Sequence, residues 1–275
     1  MLNAGYETAY IGKWHLGITN PGFFNTWRGF NSGLPPWTGK PHESQYRADV
    51  HTRQAVEFIE QNASRPFLLW VSYYPPHEPW DPPKRFLEQY RGKDCEPVPY
   101  YAAVSNLDWN VGRIVAVLEK HNLLDNTFVI ITTEHGRTWI DRPGTLSGMG
   151  IAYDEAARIP LIMRYPRLLP WGATWKSGVS LVDVMPTILE ATGIAAPRVH
   201  GRSLIADLRA GRDGWSRPIV IQNVSQTAIG GSYYQERAIR VEKWKLILRS
   251  FDLPGDRRAD ELYDMQADPN ETANL

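Results

Sequence analysis

Short apolar runs alternate with longer amphipathic stretches along most of the chain, and this alternation predicts its elements. Thr8 to Ile11 reads as a short strand, preceded by a helix end that Gly5 closes and stopped by Gly12. Tyr46 to Gln61 places Ala48, Ala55, Val56, Phe58 and Ile59 at mostly helical spacing, and the continuous apolar run Phe67 to Tyr74 that follows reads as a strand buried on both faces. The pair recurs. Tyr101 to His121 is helical by the spacing of Val104, Leu107, Val111, Ile114, Val115 and Leu118, and Phe128 to Thr133 is the next buried strand. Ile159 to Tyr165 is a further strand candidate, and Ser180 to Thr192 a helix closed by Gly193. This order predicts an α/β fold in which one mainly parallel sheet, flanked by helices, contains the strands at Thr8, Phe67, Phe128 and Leu161. From Arg217 onward the pattern changes to short strands at Ile219 to Gln222, Ala238 to Val241 and Lys245 to Arg249, which predicts a small antiparallel subdomain at 201–275 after a larger domain at 1–200.

Bulk properties narrow the class only slightly. The chain has 275 residues, 43% of them hydrophobic, and 30 acidic residues balance 30 basic ones. That length and composition predict a globular protein, and a formal charge of zero gives no support for nucleic acid as a partner. No apolar run approaches a membrane span. Met1 falls inside what reads as the last turn of a helix, so upstream sequence is expected and the compartment stays open. A single cysteine, Cys95, excludes an internal disulfide framework and any multi-cysteine zinc site.

The candidate chemistry starts at Gly12-Lys13-Trp14-His15-Leu16-Gly17. It places a cation and an imidazole two residues apart directly after a strand, where an α/β sheet presents its ligand-binding edge. An anion is the expected guest; the alternative is a buried Trp14 with two solvated neighbours. The segment from Ala4 to Gly17 resembles the one with which sulfatases, members of the alkaline-phosphatase-like superfamily, hold a sulfate ester and a formylglycine nucleophile. The likeness continues through Ala55 to Ile59, Pro66 to His77, Leu107 to Gly112, the strand running into His135-Gly136, Tyr153-Asp154-Glu155 with Arg158 to Pro160, Leu181 to Thr187, and Glu261 to Asp264 with Asp268-Pro269.

The resemblance implies a function and a set of roles. Lys13, His15 and His77 match the catalytic positions, Lys13 and His77 also as substrate binders, and Glu134 and His135 match a side-by-side pair of ligands for one divalent cation, calcium rather than magnesium. All five follow strand ends and are expected to converge on one cleft. The implied partner is a sulfated small molecule or glycan. Three departures qualify this. Glu134 stands where the family has aspartate, which pushes the carboxylate roughly one bond length deeper. No lysine lies between Glu134 and Tyr153, where the family carries a second one and this chain reads Ser147 to Ala152 with Met149; Arg142 is a possible substitute. Losing one such cation typically costs about a hundredfold in rate. The formylglycine motif Cys-x-Pro-x-Arg lies before Lys13 in the family, whereas Cys95-Glu96-Pro97-Val98-Pro99 lacks the arginine and follows it, so the nucleophile is expected in a missing upstream segment and the chain alone is expected to be inactive. Two alternatives stay open, a non-catalytic binder of sulfated glycans and a phosphoryl or phosphonate ester hydrolase of the same superfamily. The loops Asn20 to Glu43 and Arg137 to Gly150 are the specificity candidates; Trp27, Trp37 and Trp139 serve there as sugar platforms or as loop anchors.

Overall fold

Five consecutive buried residues, Thr8 to Gly12, make β1 (Glu7–Lys13) the centre of a three-stranded parallel sheet with β2 (Thr26–Phe30) on one side and β3 (Phe67–Ser72) on the other. The computed structural model describes residues 1–17, 19–30, 46–139, 151–214, 217–224, 234–251 and 259–275. Two compact units divide the chain, Met1–Thr127 and Phe128–Leu275.

In the first unit, Gly5 ends the opening helical turn at φ 81° and feeds β1 as the sequence predicts. The helix α1 (Arg47–Gln61) buries Ala48, His51, Thr52, Ala55, Phe58 and Ile59, one face at helical spacing, and packs on β1 and β3. After the short α2 (Lys84–Glu88), α3 (Val98–Lys120) packs on α1. It starts three residues before the predicted Tyr101, because Pro99 falls in the first turn, where a missing N–H breaks no bond. Asp49 of α1 pins the two helices by accepting from Asn106 Nδ2 at 3.1 Å and Asn110 Nδ2 at 2.8 Å.

The second unit holds two sheets. β4 (Val129–Thr132) pairs antiparallel with β5 (Leu161–Arg164), Val129 opposite Arg164, and the short α4 (Asp154–Ala157) lies in the connection between them. Expecting both strands in one parallel sheet with β1 and β3 is therefore wrong in detail: β4 and β5 form a sheet of their own. An apolar run records burial, not the identity of the hydrogen-bond partner, and the long segment between Thr132 and Leu161 serves a strand of either direction. The expectation of burial on both faces also overshot, since Trp70 of β3 is 54% exposed and Thr132 of β4 is exposed as well.

Beyond α5 (Val184–Ala191) and α6 (Ile205–Ala210), β6 (Ile219–Val224), β7 (Tyr234–Val241), β8 (Trp244–Phe251) and β9 (Glu261–Asp264) form the antiparallel meander expected of the C-terminal part. The start of α4 is fastened to this meander. Ile151, Ala152, Tyr153 and Ala156 pack against Ala238, Ile247, Tyr263 and Met265. Polar groups reinforce the seam: the Ala152 amide donates to Glu236 at 2.6 Å, the Asp154 amide to Glu271 at 2.6 Å, and the Tyr153 hydroxyl to Glu261 at 2.7 Å. Lys245, wholly buried, bridges Asp154 at 2.8 Å and Glu271 at 2.7 Å.

Candidate active site

The C-terminal ends of β1 and β3 carry the first group of candidates. Gly12 pairs with Ser72 across these strands at φ 107°, and a Cβ there would stand 1.9 Å from the Ser72 carbonyl oxygen, so only glycine lets the strands close up just before Lys13. Trp14 continues the β1–β2 ladder by donating to the Phe30 carbonyl at 2.9 Å, and its ring packs edge-on against Tyr10 at 4.8 Å. It is a packing residue, though half-buried where one reading of the segment expected it buried. Trp27 is another, stacked 5.3 Å from Tyr10. Between Gly12 and Gly17, His15 adopts φ 57°, a left-handed conformation uncommon outside glycine, and its side chain is exposed.

From β3 the chain runs through Tyr73 and Tyr74 into Pro75-Pro76-His77. The His77 amide donates to the Tyr74 carbonyl at 3.0 Å, folding the imidazole back so that its centre lies 4.7 Å from that of the Tyr74 ring. His77 Nδ1 lies 2.8 Å from the Glu78 carbonyl. A carbonyl only accepts, so Nδ1 carries a proton in this contact, and Nε2 is the nitrogen left to act on a ligand. The Lys13 ammonium sits 5.6 Å from the centre of the same Tyr74 ring. Two predicted residues, 64 positions apart in sequence, thus share one aromatic neighbour.

A second cation joins them that the sequence reading missed. The Arg47 guanidinium lies over the Tyr74 ring, Cζ 4.0 Å from its centre, and 5.6 Å from that of Phe30. Burial pulls Arg47 below the ordinary arginine value, and its contacts with Tyr74, Asp81 and Tyr46 oppose that pull. Behind this group the wall is neutral. His51 lies between Phe30 at 5.6 Å and Tyr73 at 6.3 Å, and burial together with Arg47 pushes it down to about 4. The Tyr73 hydroxyl, 2.7 Å from Thr52 Oγ1, is pushed up to about 12 by burial.

The second group lies at the end of β4. Glu134 is exposed and His135 half-buried, with Nε2 3.7 Å from Glu134 Oε1. His135 Nδ1 is 2.8 Å from the Gly136 carbonyl, which places the proton on Nδ1 and turns the Nε2 lone pair to the carboxylate side. Gly136 anchors the pair: its amide donates to Ala156 at 2.7 Å, and a Cβ would meet the Glu155 carbonyl oxygen at 2.2 Å. An oxygen and a nitrogen donor side by side fit a divalent cation. Among the described residues no third His, Cys, Asp or Glu completes a ligand cluster with them.

Trp139, half-exposed, carries Arg137 5.0 Å over its ring. Trp37, Arg142 and Met149 lie outside the described residues. Cys95 is half-buried in a turn, its amide 3.1 Å from the Lys93 carbonyl, consistent with a loop residue. No sequence signal marks the missed pair: an arginine at a helix start and a second tyrosine after a strand are ordinary patterns.

Comparison with known proteins bears on these residues. The family model described as Sulfatase matches residues 1–194, and that described as N-sulphoglucosamine sulphohydrolase, C-terminal, matches residues 148–275. The sulfatase YidJ of Escherichia coli is 27% identical over 346 aligned residues, covering 99% of this chain and 65% of that protein. The N-acetylglucosamine-6-O-sulfatase of Bacteroides thetaiotaomicron is 24% identical, covering 100% of this chain and 67% of its own. The chain spans between about a third and two thirds of the length of the curated relatives it matches. Ps i-CgsB, solved in complex with a neocarrahexaose, superposes with a TM-score of 0.80 at 21% identity, covering 100% of this chain and 68% of that one. BT4656, solved with its substrate D-glucosamine-2-N,6-O-disulfate, gives a TM-score of 0.78 at 23% identity, covering 99% and 76%. These superpositions establish the alkaline-phosphatase-like fold.

Proposed function

Because the chain belongs to the sulfatase family, we propose that the protein is a sulfuric ester hydrolase acting on a sulfated small molecule or glycan. The observation that carries this reading is the meeting of Lys13 and His77 on Tyr74, at the edge of the sheet where an anion is best received. Lys13 supplies positive charge to the non-bridging oxygens as charge redistributes in the transition state, and His77 donates to the same group or to the leaving oxygen. His15, held in its left-handed turn, is the third catalytic group. The glycan relatives, one an N-acetylglucosamine-6-O-sulfatase and one solved with a sulfated glucosamine, support the substrate class. Residues 1–200 are the catalytic part in this reading and 201–275 a C-terminal subdomain.

Glu134 and His135 are the proposed ligands of one divalent cation. The longer glutamate arm suits calcium, which tolerates an irregular oxygen set, better than magnesium, which demands a near-ideal octahedron. The ion, when bound, supplies electrostatic stabilisation of the ester oxygens. The protein's part is to hold His135 by its Nδ1 contact and to brace Gly136 on α4. The family's formylglycine has no Cys-x-Pro-x-Arg source within these 275 residues.

The test is the protein expressed from its native gene and offered an aryl sulfate, a phosphate monoester and a phosphonate ester. Turnover of the sulfate is expected, with kcat/KM lowered about a hundredfold by Lys13→Met or His77→Ala. Preference for a phosphorus ester, or variants as active as wild type, overturns the reading. Glu134→Gln is expected to raise the calcium concentration needed for half-maximal activity, measured by back-titration after chelation.

A further inference from the structure

We propose that Arg47 is a substrate-contacting residue, a third donor to the same tetrahedral oxyanion that Lys13 and His77 receive. The inference rests on the sulfatase reading and adds a residue that the sequence motifs do not contain. Its ground is the Tyr74 ring, around which Arg47 Cζ at 4.0 Å, the His77 ring at 4.7 Å and Lys13 Nζ at 5.6 Å are all gathered. A sulfate monoester presents three non-bridging oxygens, and this cluster presents three donors of the kind that bind them. A guanidinium carries five N–H donors in one plane, the arrangement suited to a tetrahedral oxyanion. Arg47 is also the first residue of the fifteen-residue α1, so the positive end of that helix lies at the same place.

Tyr74 is then a spacer. It keeps three like-charged or protonatable groups apart and screens their repulsion with the electron-rich face of the ring. Partial burial of Arg47 strengthens its attraction for an oxyanion, because a partly desolvated cation regains in the complex some of what it lost from water.

Binding of inorganic sulfate to the full chain, measured calorimetrically at constant ionic strength set with chloride, tests the proposal. Arg47→Met is expected to weaken sulfate binding about tenfold or more, the effect of one charge-assisted hydrogen bond, and Arg47→Lys to recover only part of it. In the wild type, the Arg47 Nε–H resonance is expected to shift saturably with added sulfate, with the same midpoint as the calorimetric titration. Wild-type affinity in Arg47→Met overturns the proposal. So does an Nε–H signal that stays in place at saturating sulfate, which would make Arg47 a mere support for Tyr74; this second measurement decides the matter even where Arg47→Met does not fold. Lys13→Met separates the two readings: if it weakens binding while Arg47→Met does not, only Arg47's role fails, and if neither matters, or wild type does not bind, the anion site itself fails.

Discussion

A methyl group on Gly12 would stand 1.9 Å from the Ser72 carbonyl oxygen, on a backbone at φ 107° that side chains rarely adopt. Gly12→Ala is therefore expected to destabilise the first unit by at least about 2 kcal/mol, read as a lower urea midpoint, and to separate β1 from β3 at the point where Lys13 leaves the sheet. Cys95→Ala, by contrast, is expected to leave aryl-sulfate turnover of the native-gene protein unchanged, because Cys95-Glu96-Pro97-Val98-Pro99 lacks the arginine of the family's nucleophile motif. At this scale the sequence was most informative where residue type and spacing are themselves the signal. Lys13 and His15 could be picked out from their positions after a strand-like run, and His77, Glu134 and His135 from the resemblance to sulfatase motifs. Arg47 and Tyr74 could not, because their role is a cation–ring contact across 27 residues of chain, and neither an arginine at a helix start nor a second tyrosine after a strand departs from an ordinary pattern.

Among the elements, α1 carries a pH-dependent contribution through His51, which is buried against Phe30 and Tyr73. Its folded value of about 4 lies below the ordinary 6.5. Between those values the unfolded chain binds a proton that the folded chain does not, so stability present above pH 6.5 is lost as pH falls toward about 4. The difference corresponds to about 3 kcal/mol. His51→Gln is expected to flatten this part of the urea-unfolding profile, whatever it does to stability at neutral pH; an unchanged slope would mean that His51 titrates normally in the fold. The helices were legible because one apolar face repeats at their period. The strands were legible only as burial. β2 was missed inside a presumed loop because Thr26-Trp27-Arg28-Gly29-Phe30 carries a charge and a glycine in place of an apolar run. The β4–β5 pairing was misjudged because direction is set by connections and partners, not by composition.

For the molecule as a whole, the seam between α4 and the C-terminal meander matters most. Tyr153 and Asp154, which the sequence marked as a family motif near the metal pair, prove to be the groups through which that seam is bonded. Lys245→Met is expected to cost about 3–5 kcal/mol, since it leaves the carboxylates of Asp154 and Glu271 without their buried counter-charge. Loss of hydrogen-exchange protection in β7 and β8 would report it. The seam also sets an order of events during synthesis. The Asp154 amide waits for Glu271, 117 residues later. At ordinary ribosomal rates that interval is roughly 6 to 23 s. Throughout it the nascent segment that braces Gly136 lacks this partner, so the second unit cannot finish folding until Glu271 has left the exit tunnel. A synonymous codon change that slows translation between β5 and β9 would prolong this exposure to chaperones and proteases without altering a single side chain.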